Sequence, residues 1–343
     1  MKTWMKIAAG VGLAAVCVVG LLGVRYRNDN RKANFASRAD LFVRPGMSVS
    51  DVIAQIPDSC VMRPGSLSRV MSSLKDSDMK PGHYVIEPNK PSVYLPRMLK
   101  AGWQTPVKLV LSGTMRQKGA IARKIANQMM MDSTTVAAAL DDEDLLSSYG
   151  FNPQNVFSLI IPDTYEVWWT DSMKEVLALQ KKAYDAFWTD ENFVKAEEQG
   201  LSPEEVSVLA SIVKAESNHE PEYPSIAGVY LNRLHQGMKL QADPTVAFCY
   251  DYSLNRILLR HLEVDSPYNT YLHEGLPPGP ICVPDKASLK AVLNPDTRNF
   301  LFFCASPEMD GTHRFASSMS EHSRNAHEFQ RELNKRAAAK KNN

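Results

Sequence analysis

The residue with most to offer chemically is Glu216, near the end of the run VSVLASIVKAES. At about 100° per helical residue, Val206, Leu209, Ala210 and Val213 make one apolar stripe. Ser207, Ser211 and Lys214 fall opposite, and Glu216 lands beside Leu209, inside the apolar arc. A carboxylate aimed at a core costs free energy unless it is paired, protonated or used, and burial raises its pKa toward that of a general acid. Taken alone, a glutamate at a helix end more often curls into solvent or pairs with Lys or Arg. The residues downstream shift the balance toward chemistry. Gln241-Ala242-Asp243-Pro244-Thr245, Tyr268-Asn269-Thr270-Tyr271 and Gly275-Leu276-Pro277-Pro278-Gly279-Pro280-Ile281 supply amides, hydroxyls, aromatic rings and a rigid turn. Together they suit a groove for polar, ring-shaped groups, although each alone reads as an ordinary loop.

The elements that must position these residues are legible in part. Ser202-Pro203-Glu204-Glu205 is a strong helix start, with Ser202 as N-cap, Pro203 at N1 and Glu205 completing a capping box. A second amphipathic helix covers 223–234. Asp243-Pro244-Thr245 reads as an N-cap followed by Pro at N1, which favours a structural role for Asp243 over a second reacting carboxylate. Residues 301–305 form a buried strand, His313-Arg314-Phe315 follows a turn, and 320–334 is a final helix before a basic, frayed tail.

Upstream, a short strand at 41–43 precedes a helix at 48–56, capped by Ser48 with Asp51 three residues on. Val49, Val52, Ile53 and Ile56 share one face of it. A helix at 66–75, a strand at 83–86 and a helix at 92–100 complete a small α+β module. A related pattern follows: a strand at 107–111, a helix at 117–131 with Ile121, Ile125 and Met129 buried, and a helix at 134–140. It hints at a weak internal repeat, with Met129-Met130-Met131 as core filler. Pro162-Asp163-Thr164-Tyr165 turns into a strand beside Trp168 and Trp169, a pair that reads better as a hinge core than as a sugar platform. A long helix covers 173–188.

Residues 7–24 carry no charge and are long enough to cross a bilayer. The run passes into Arg25 without an A-x-A cleavage pattern, and Val16 before Cys17 is too bulky for a lipoprotein signal, so an uncleaved anchor is expected. Basic residues flank it on both sides, leaving orientation open on charge alone. Residues 25–40 read as a polar tether.

Composition removes other classes. The chain has 343 residues, enough for two domains and a small third. Its 39 Lys and Arg balance 38 Asp and Glu, which excludes a protein built to coat nucleic acid. An apolar content of 44% excludes global disorder. Five cysteines exclude a disulfide-dense scaffold, and the lack of CxxC excludes a zinc ribbon. Cys60, Cys249, Cys282 and Cys304 fit either pairs in an exported body or buried thiols. His235, His261, His273, His313, His322 and His327 show no metal-ligand spacing, so neither metal nor cofactor is expected. No Ser or Cys elbow with a His partner supports a protease.

These motifs, in this order, resemble the endolytic murein transglycosylases of the MltG, or YceG-like, family. The resemblance rests on the anchor, Pro162-Asp163-Thr164-Tyr165, the run from Ala210 through Glu216 to Ser217, Asn232-Arg233-Leu234, Gly237-Met238-Lys239-Leu240 with the Gln241 stretch, the Tyr268 and Gly275 stretches, and His313-Arg314-Phe315. It is dense over 160–330 and looser over 40–160. The resemblance implies an α+β fold: a single amino-terminal transmembrane helix, a small LysM-like α+β module contacting glycan, then a mixed α+β catalytic domain. The expected organisation is a cytoplasmic tail at 1–6, the membrane helix at 7–24, the tether at 25–40, the LysM-like module at 41–105, a second α+β linking segment at 106–195, the catalytic domain at 196–334 and a basic tail at 335–343. It also implies the inner (cytoplasmic) membrane with the body on the periplasmic side, peptidoglycan strands as substrate and cell-wall synthases as partners. The family's catalytic acid maps to Glu216. An acidic position often found just before it is Lys214 here, which leaves Glu216 as the motif's single candidate.

Hydrolytic glycosidases usually need two carboxyl groups, whereas a lytic transglycosylase works with one. Protonated Glu216 would donate to the glycosidic oxygen between N-acetylmuramic acid and N-acetylglucosamine, then accept the proton of the muramoyl 6-hydroxyl as that oxygen attacks C1. Gln241, Asn269 and Thr270 are expected at substrate hydroxyl and acetamido groups, Tyr268 and Tyr271 at sugar rings or orienting Glu216, and Asp243 and His313 near the substrate. Two alternatives remain: a muramidase using Glu216 as acid and Asp243 as base, and a non-catalytic glycan-binding anchor.

Overall fold

The computed structural model describes residues 2–341. Met1 and residues 342–343, assigned above to the two tails, lie outside the described residues. The chain forms two compact units. One holds the chain up to Leu109, with Gln128–Met130 and Glu166–Asp171; the other holds Val110–Asn127, Met131–Tyr165 and the chain from Ser172. The segment 106–195, expected as a linking piece of its own, is therefore divided, most of it joining the second unit. Both units mix helices with two-stranded ribbons, an α+β class, and the ribbons pair β1 with β2, β3 with β4 and β5 with β6 as defined below.

The first unit begins with α1 (Lys2–Asn30), whose stretch Ala9–Asn30 is long and apolar enough to cross a membrane, with mean hydropathy 1.8. α1 does not stop at residue 24. It continues into the expected tether, where Asp29 accepts hydrogen bonds from Arg69 at 2.7 and 2.9 Å and from Ser66 at 2.5 Å. Phe35 is fully buried in the unit's core, so a polar composition here conceals an ordered segment. β1 (Ala39–Val43) follows, then α2 (Val49–Ala54), with the expected Ser48 and Asp51 capping box. α3 (Pro64–Met71) starts two residues before the expected helix and ends four before it, in a turn at 72–73; a 3-10 turn follows at Asp76–Asp78. β2 (Gly82–Ile86) returns antiparallel to β1, pairing Ala39 with Ile86 and Val43 with Gly82. α4 (Tyr94–Ala101) ends at left-handed Gly102, φ 75°. Leu41, Val52, Met71, Tyr84, Leu95 and Met98 fill the core. Trp169 is buried with Phe42 against its edge and Arg44 over its ring, a core position, while Trp168 is exposed, so only one of the expected pair is core.

β3 (Val107–Leu111) carries the chain into the second unit. α5 (Lys118–Ala126) stops five residues short of the expected end because the amide of Met130 bonds the Trp169 carbonyl instead of continuing the helix. α6 (Ser133–Ala139) agrees with the reading, but α7 (Glu143–Ser147) and α8 (Val156–Leu159) are too short for periodicity to reveal. β4 (Asp163–Val167), α9 (Met173–Phe187) and α10 (Asp190–Glu198) lead to α11 (Pro203–Glu216). Around α11 stand α12 (Tyr223–His235), α13 (Asp243–Cys249) and α14 (Lys286–Leu293). β5 (Phe302–Ala305) and β6 (His313–Ala316) form a ribbon that packs on α15 (Met319–Lys341). β5 is half-buried rather than buried, since it is one strand of a two-stranded ribbon. α15 runs beyond residue 334 into the expected tail, helped by good helix formers in AAAKK. All five cysteines are free thiols.

Candidate active site

α11 is the scaffold of the site. Ser202 caps it, accepting from the Glu205 amide at 3.2 Å while Glu205 accepts from the Ser202 amide at 2.8 Å. Every residue from Val206 to Val213 is buried, so this is a central helix rather than a surface one. Ser207 and Ser211, opposite the apolar stripe, are therefore inside as well. Ser211 donates to the Val208 carbonyl at 2.7 Å and accepts from the Ile281 amide at 3.0 Å, locking the Pro/Gly loop onto the helix. Gly279 in that loop has a close-packing role: a Cβ there would stand 2.5 Å from the Gln154 carbonyl oxygen.

Glu216 is the last residue of α11, and the chain turns extended at Ser217, φ −140°. It lines a pocket of about 520 Å³ with Tyr230, Arg233, Leu240, Gln241, Asp243, Tyr271 and Phe303. The residue keeps some surface toward the pocket, yet protein encloses its carboxyl group densely. That desolvation pushes its pKa up to about 7; the Tyr230 hydroxyl, which donates to Oε1, and the positive charge of Arg233 oppose the rise, and the negative charge of Asp243 adds to it. Tyr230 is itself buried on α12, edge-on to Phe303, and burial, with the neighbouring Glu216 carboxylate, drives its own pKa strongly upward. It stays a donor at any pH the protein meets.

Arg233, one turn after Tyr230, is also buried. Its Nε donates to Leu301 O at 2.7 Å and its Nη1 to Leu240 O at 2.8 Å, with the guanidinium over the Phe302 ring. It ties β5 and the 239–240 segment to α12, and so fixes the positions of Leu240 and Phe303. Gln241 adopts the left-handed region, φ 49°, its amide bonded to Thr270 O at 3.1 Å.

Asp243 departs from expectation. Ala242 holds the cap position of α13 and no side chain caps it; Asp243 is the first helical residue. Its carboxylate accepts from the Tyr271 hydroxyl at 2.6 Å and lines the pocket. Asn269 and Thr270, expected at the substrate, are buried and outside the pocket lining. Asn269 donates to Leu262 O and Val264 O at 2.9 and 2.8 Å and accepts from the Tyr271 amide at 3.0 Å. Thr270 Oγ1 accepts from the Ala242 amide at 3.0 Å and pairs with Thr245 Oγ1 at 2.9 Å. These two hold the turn that presents Tyr271 and Asp243. Tyr268 points elsewhere, packing on Phe248 with ring centres 4.6 Å apart. His313 bonds Glu222 at 2.9 Å and meets Phe303 edge-on, standing behind the lining rather than in it.

Of the expected residues, Glu216, Gln241, Asp243 and Tyr271 share one pocket. Tyr230 and Phe303 were not singled out, and Arg233 and Leu240 only within motifs. A tyrosine and an arginine one turn apart on a mostly apolar helix were the available signal, since both need buried partners.

The family model described as YceG-like matches residues 41–328, most of the chain, and the chain belongs to this family. It is 31% identical over 220 residues to the endolytic murein transglycosylase of Bacillus subtilis strain 168, covering 60% of this chain and 60% of that protein. It is 24% identical over 356 aligned positions to the endolytic murein transglycosylase of Streptococcus pneumoniae D39, covering 93% of this chain and 64% of that one. The chain thus spans less than two-thirds of the length of these relatives. A 2.6 Å crystal structure of a YceG-like protein from Listeria monocytogenes superposes with a TM-score of 0.57 at 26% identity, over 84% of this chain and 98% of that one.

Proposed function

We propose that this protein is a membrane-anchored endolytic lytic transglycosylase that cuts peptidoglycan glycan strands between N-acetylmuramic acid and N-acetylglucosamine. The observation that carries the reading is Glu216: an enclosed carboxyl group at the end of α11, facing an open pocket, with a pKa raised to about 7. At neutral pH both of its forms are accessible, which suits a group that gives a proton and then takes one back. Glu216 donates its proton to the glycosidic oxygen as the C1–O bond breaks and positive charge develops at C1. The Tyr230 hydroxyl, already donated to Glu216, orients the carboxylate left behind. That carboxylate removes the proton of the muramoyl 6-hydroxyl while its oxygen bonds to C1. The product is a 1,6-anhydro ring, and no water is consumed. Because the nucleophile belongs to the substrate, its effective concentration is high and a second carboxylate is unnecessary.

The names of the relatives support the substrate class. The apolar amino-terminal helix supports an inner-membrane anchor with the body on the periplasmic side, where nascent strands are made and wall synthases act. The strand–helix–helix–strand order of the first unit supports a LysM-like, glycan-contacting module.

A second reading has its own support. Asp243 lines the same pocket, as a muramidase with Glu216 as acid and Asp243 as base would require. The test is digestion of peptidoglycan, including nascent uncrosslinked strands, with the full chain in detergent, read by mass spectrometry beside Glu216→Gln. Anhydro-muramoyl ends from the wild type alone are expected. Reducing ends would establish the muramidase, and no product from either protein would leave a glycan-binding anchor.

A further inference from the structure

The second unit has another cavity, of about 710 Å³, at the other end of α13 from the Glu216 pocket. Asp243 opens α13 and lines the first pocket; Phe248, five residues on, lines the second. That is about 8 Å along a helix axis. The turn 268–271 makes the same division, with Tyr268 in the second cavity and Tyr271 in the first. The two cavities are thus lined by neighbouring residues of one helix and one turn.

The walls of this cavity carry a specific chemistry. Phe248, Tyr252 and Tyr268 supply ring faces. Arg116 is exposed, its guanidinium 4.8 Å from the centre of the Tyr252 ring, and among the described residues no carboxylate pairs with it. The neighbouring cations are committed, Lys118 to Asp141 and Lys214 to Asp285. Asp251 and Tyr252 are consecutive non-glycine residues in the left-handed region, at φ 52° and 56°. This strained pair is held by the Tyr252 hydroxyl on Ile281 O at 2.7 Å and by Gln117 Nε2 on Asp251 O at 2.8 Å. Those bonds hold Tyr252 and Asp251 in the lining of the cavity. An unpaired guanidinium, a carboxylate and aromatic faces in one cavity complement a short peptide bearing both carboxylate and amino groups.

We propose that this cavity binds the acidic peptide branch of a glycan whose sugar chain lies on Glu216, with Arg116 holding a peptide carboxylate and Asp251 an amino group. The proposal rests on the function proposed above for the sugar chain, but its own ligand is the peptide. Two measurements on the full chain in detergent test it. In the first, calorimetry with a synthetic acidic tetrapeptide carrying a free amine and free carboxylates reads binding directly. Saturable binding is expected, weakened at least about tenfold by Arg116→Glu and partly restored by Arg116→Lys. In the second, cleavage of peptide-bearing strands is compared with cleavage of strands stripped of peptide by an amidase. The wild type should favour the peptide-bearing strand about tenfold, chiefly through KM, and Arg116→Glu should bring that ratio toward one. No peptide binding, or equal binding by a folded Arg116→Glu protein, overturns the proposal whatever happens at Glu216. Arg116-dependent binding by a protein that cuts neither strand upholds the cavity and overturns the reaction instead.

Discussion

Lys214 and Glu216 stand two residues apart in the last turn of α11, and protein surrounds both. Lys214 points to Asp285 at 2.7 Å and to the Tyr223 hydroxyl at 3.1 Å. Burial pulls its pKa down, but those two bonds outweigh burial and hold it above the usual value. Glu216 points the other way, where its direct partner is a neutral hydroxyl, and burial dominates. Enclosure is common to the two; a counter-charge is not. With one, the group is a permanently charged strut between α11 and the start of α14. Without one, it becomes a group that titrates near neutrality, which is the requirement for acid–base work. Lys214 therefore does not weaken the site, because its side chain serves a different contact.

Of the two residues, Glu216 carries the larger effect when changed. Replacing it with Gln should lower turnover by about a hundred- to ten-thousand-fold, read as loss of anhydro ends. The same change should stabilise the second unit in alkaline solution. An unfolded glutamate titrates near its ordinary 4.5 and the folded one near 7, so the native state holds the extra proton between them. Wild-type stability then falls as pH rises across that window, by up to about 3 kcal/mol, and Glu216→Gln removes the fall. Thermal melts at pH 4.5 and 8 check it; an equal gain at both would contradict the raised pKa.

Lys214→Ala should cost about 1–3 kcal/mol by leaving Asp285 unpaired, with no movement of the activity–pH profile. Lys214 stays charged throughout, since a raised lysine loses its contribution only in strong alkali. Tyr230→Phe removes a hydrogen bond that favours the carboxylate, so the alkaline limb of kcat/KM, expected near pH 7, should move up by as much as about one unit. Asp243→Asn removes a like charge and should move that limb down by a few tenths of a unit, about the smallest shift a profile resolves. If it instead abolishes activity as fully as Glu216→Gln, Asp243 is a reacting group.

What could be read in the chain tracks the range of the forces involved. The Ser202 and Ser48 capping boxes and the span of α11 depend on residues a few positions apart, and they appear as expected. The tether did not. Asp29 finds Arg69 forty residues away, and composition carries no sign of that partner. Asp243 misled through a local rule: Asp-Pro-Thr fits a cap, but the backbone places Ala242 there and frees the carboxylate for Tyr271. Asn269 and Thr270 are polar residues of a loop, yet the loop's own carbonyls and amides need them as partners, so they turn inward.

The sequence alone determined that Glu216 would end a helix on its apolar arc, that amides and aromatics would follow in three loops, and that an apolar helix would lead the chain. Local conformational preference and hydrophobic period are properties of short stretches, so they survive without a fold. Only the tertiary structure decided which groups meet: Tyr230 on Glu216 across fourteen residues, Arg233 on the carbonyls of Leu240 and Leu301, and the Asp243 carboxylate in the pocket rather than capping α13. Desolvation and hydrogen bonding act over a few ångströms of space, whatever the distance along the chain. The proton affinity of Glu216 is therefore a property of the folded pocket.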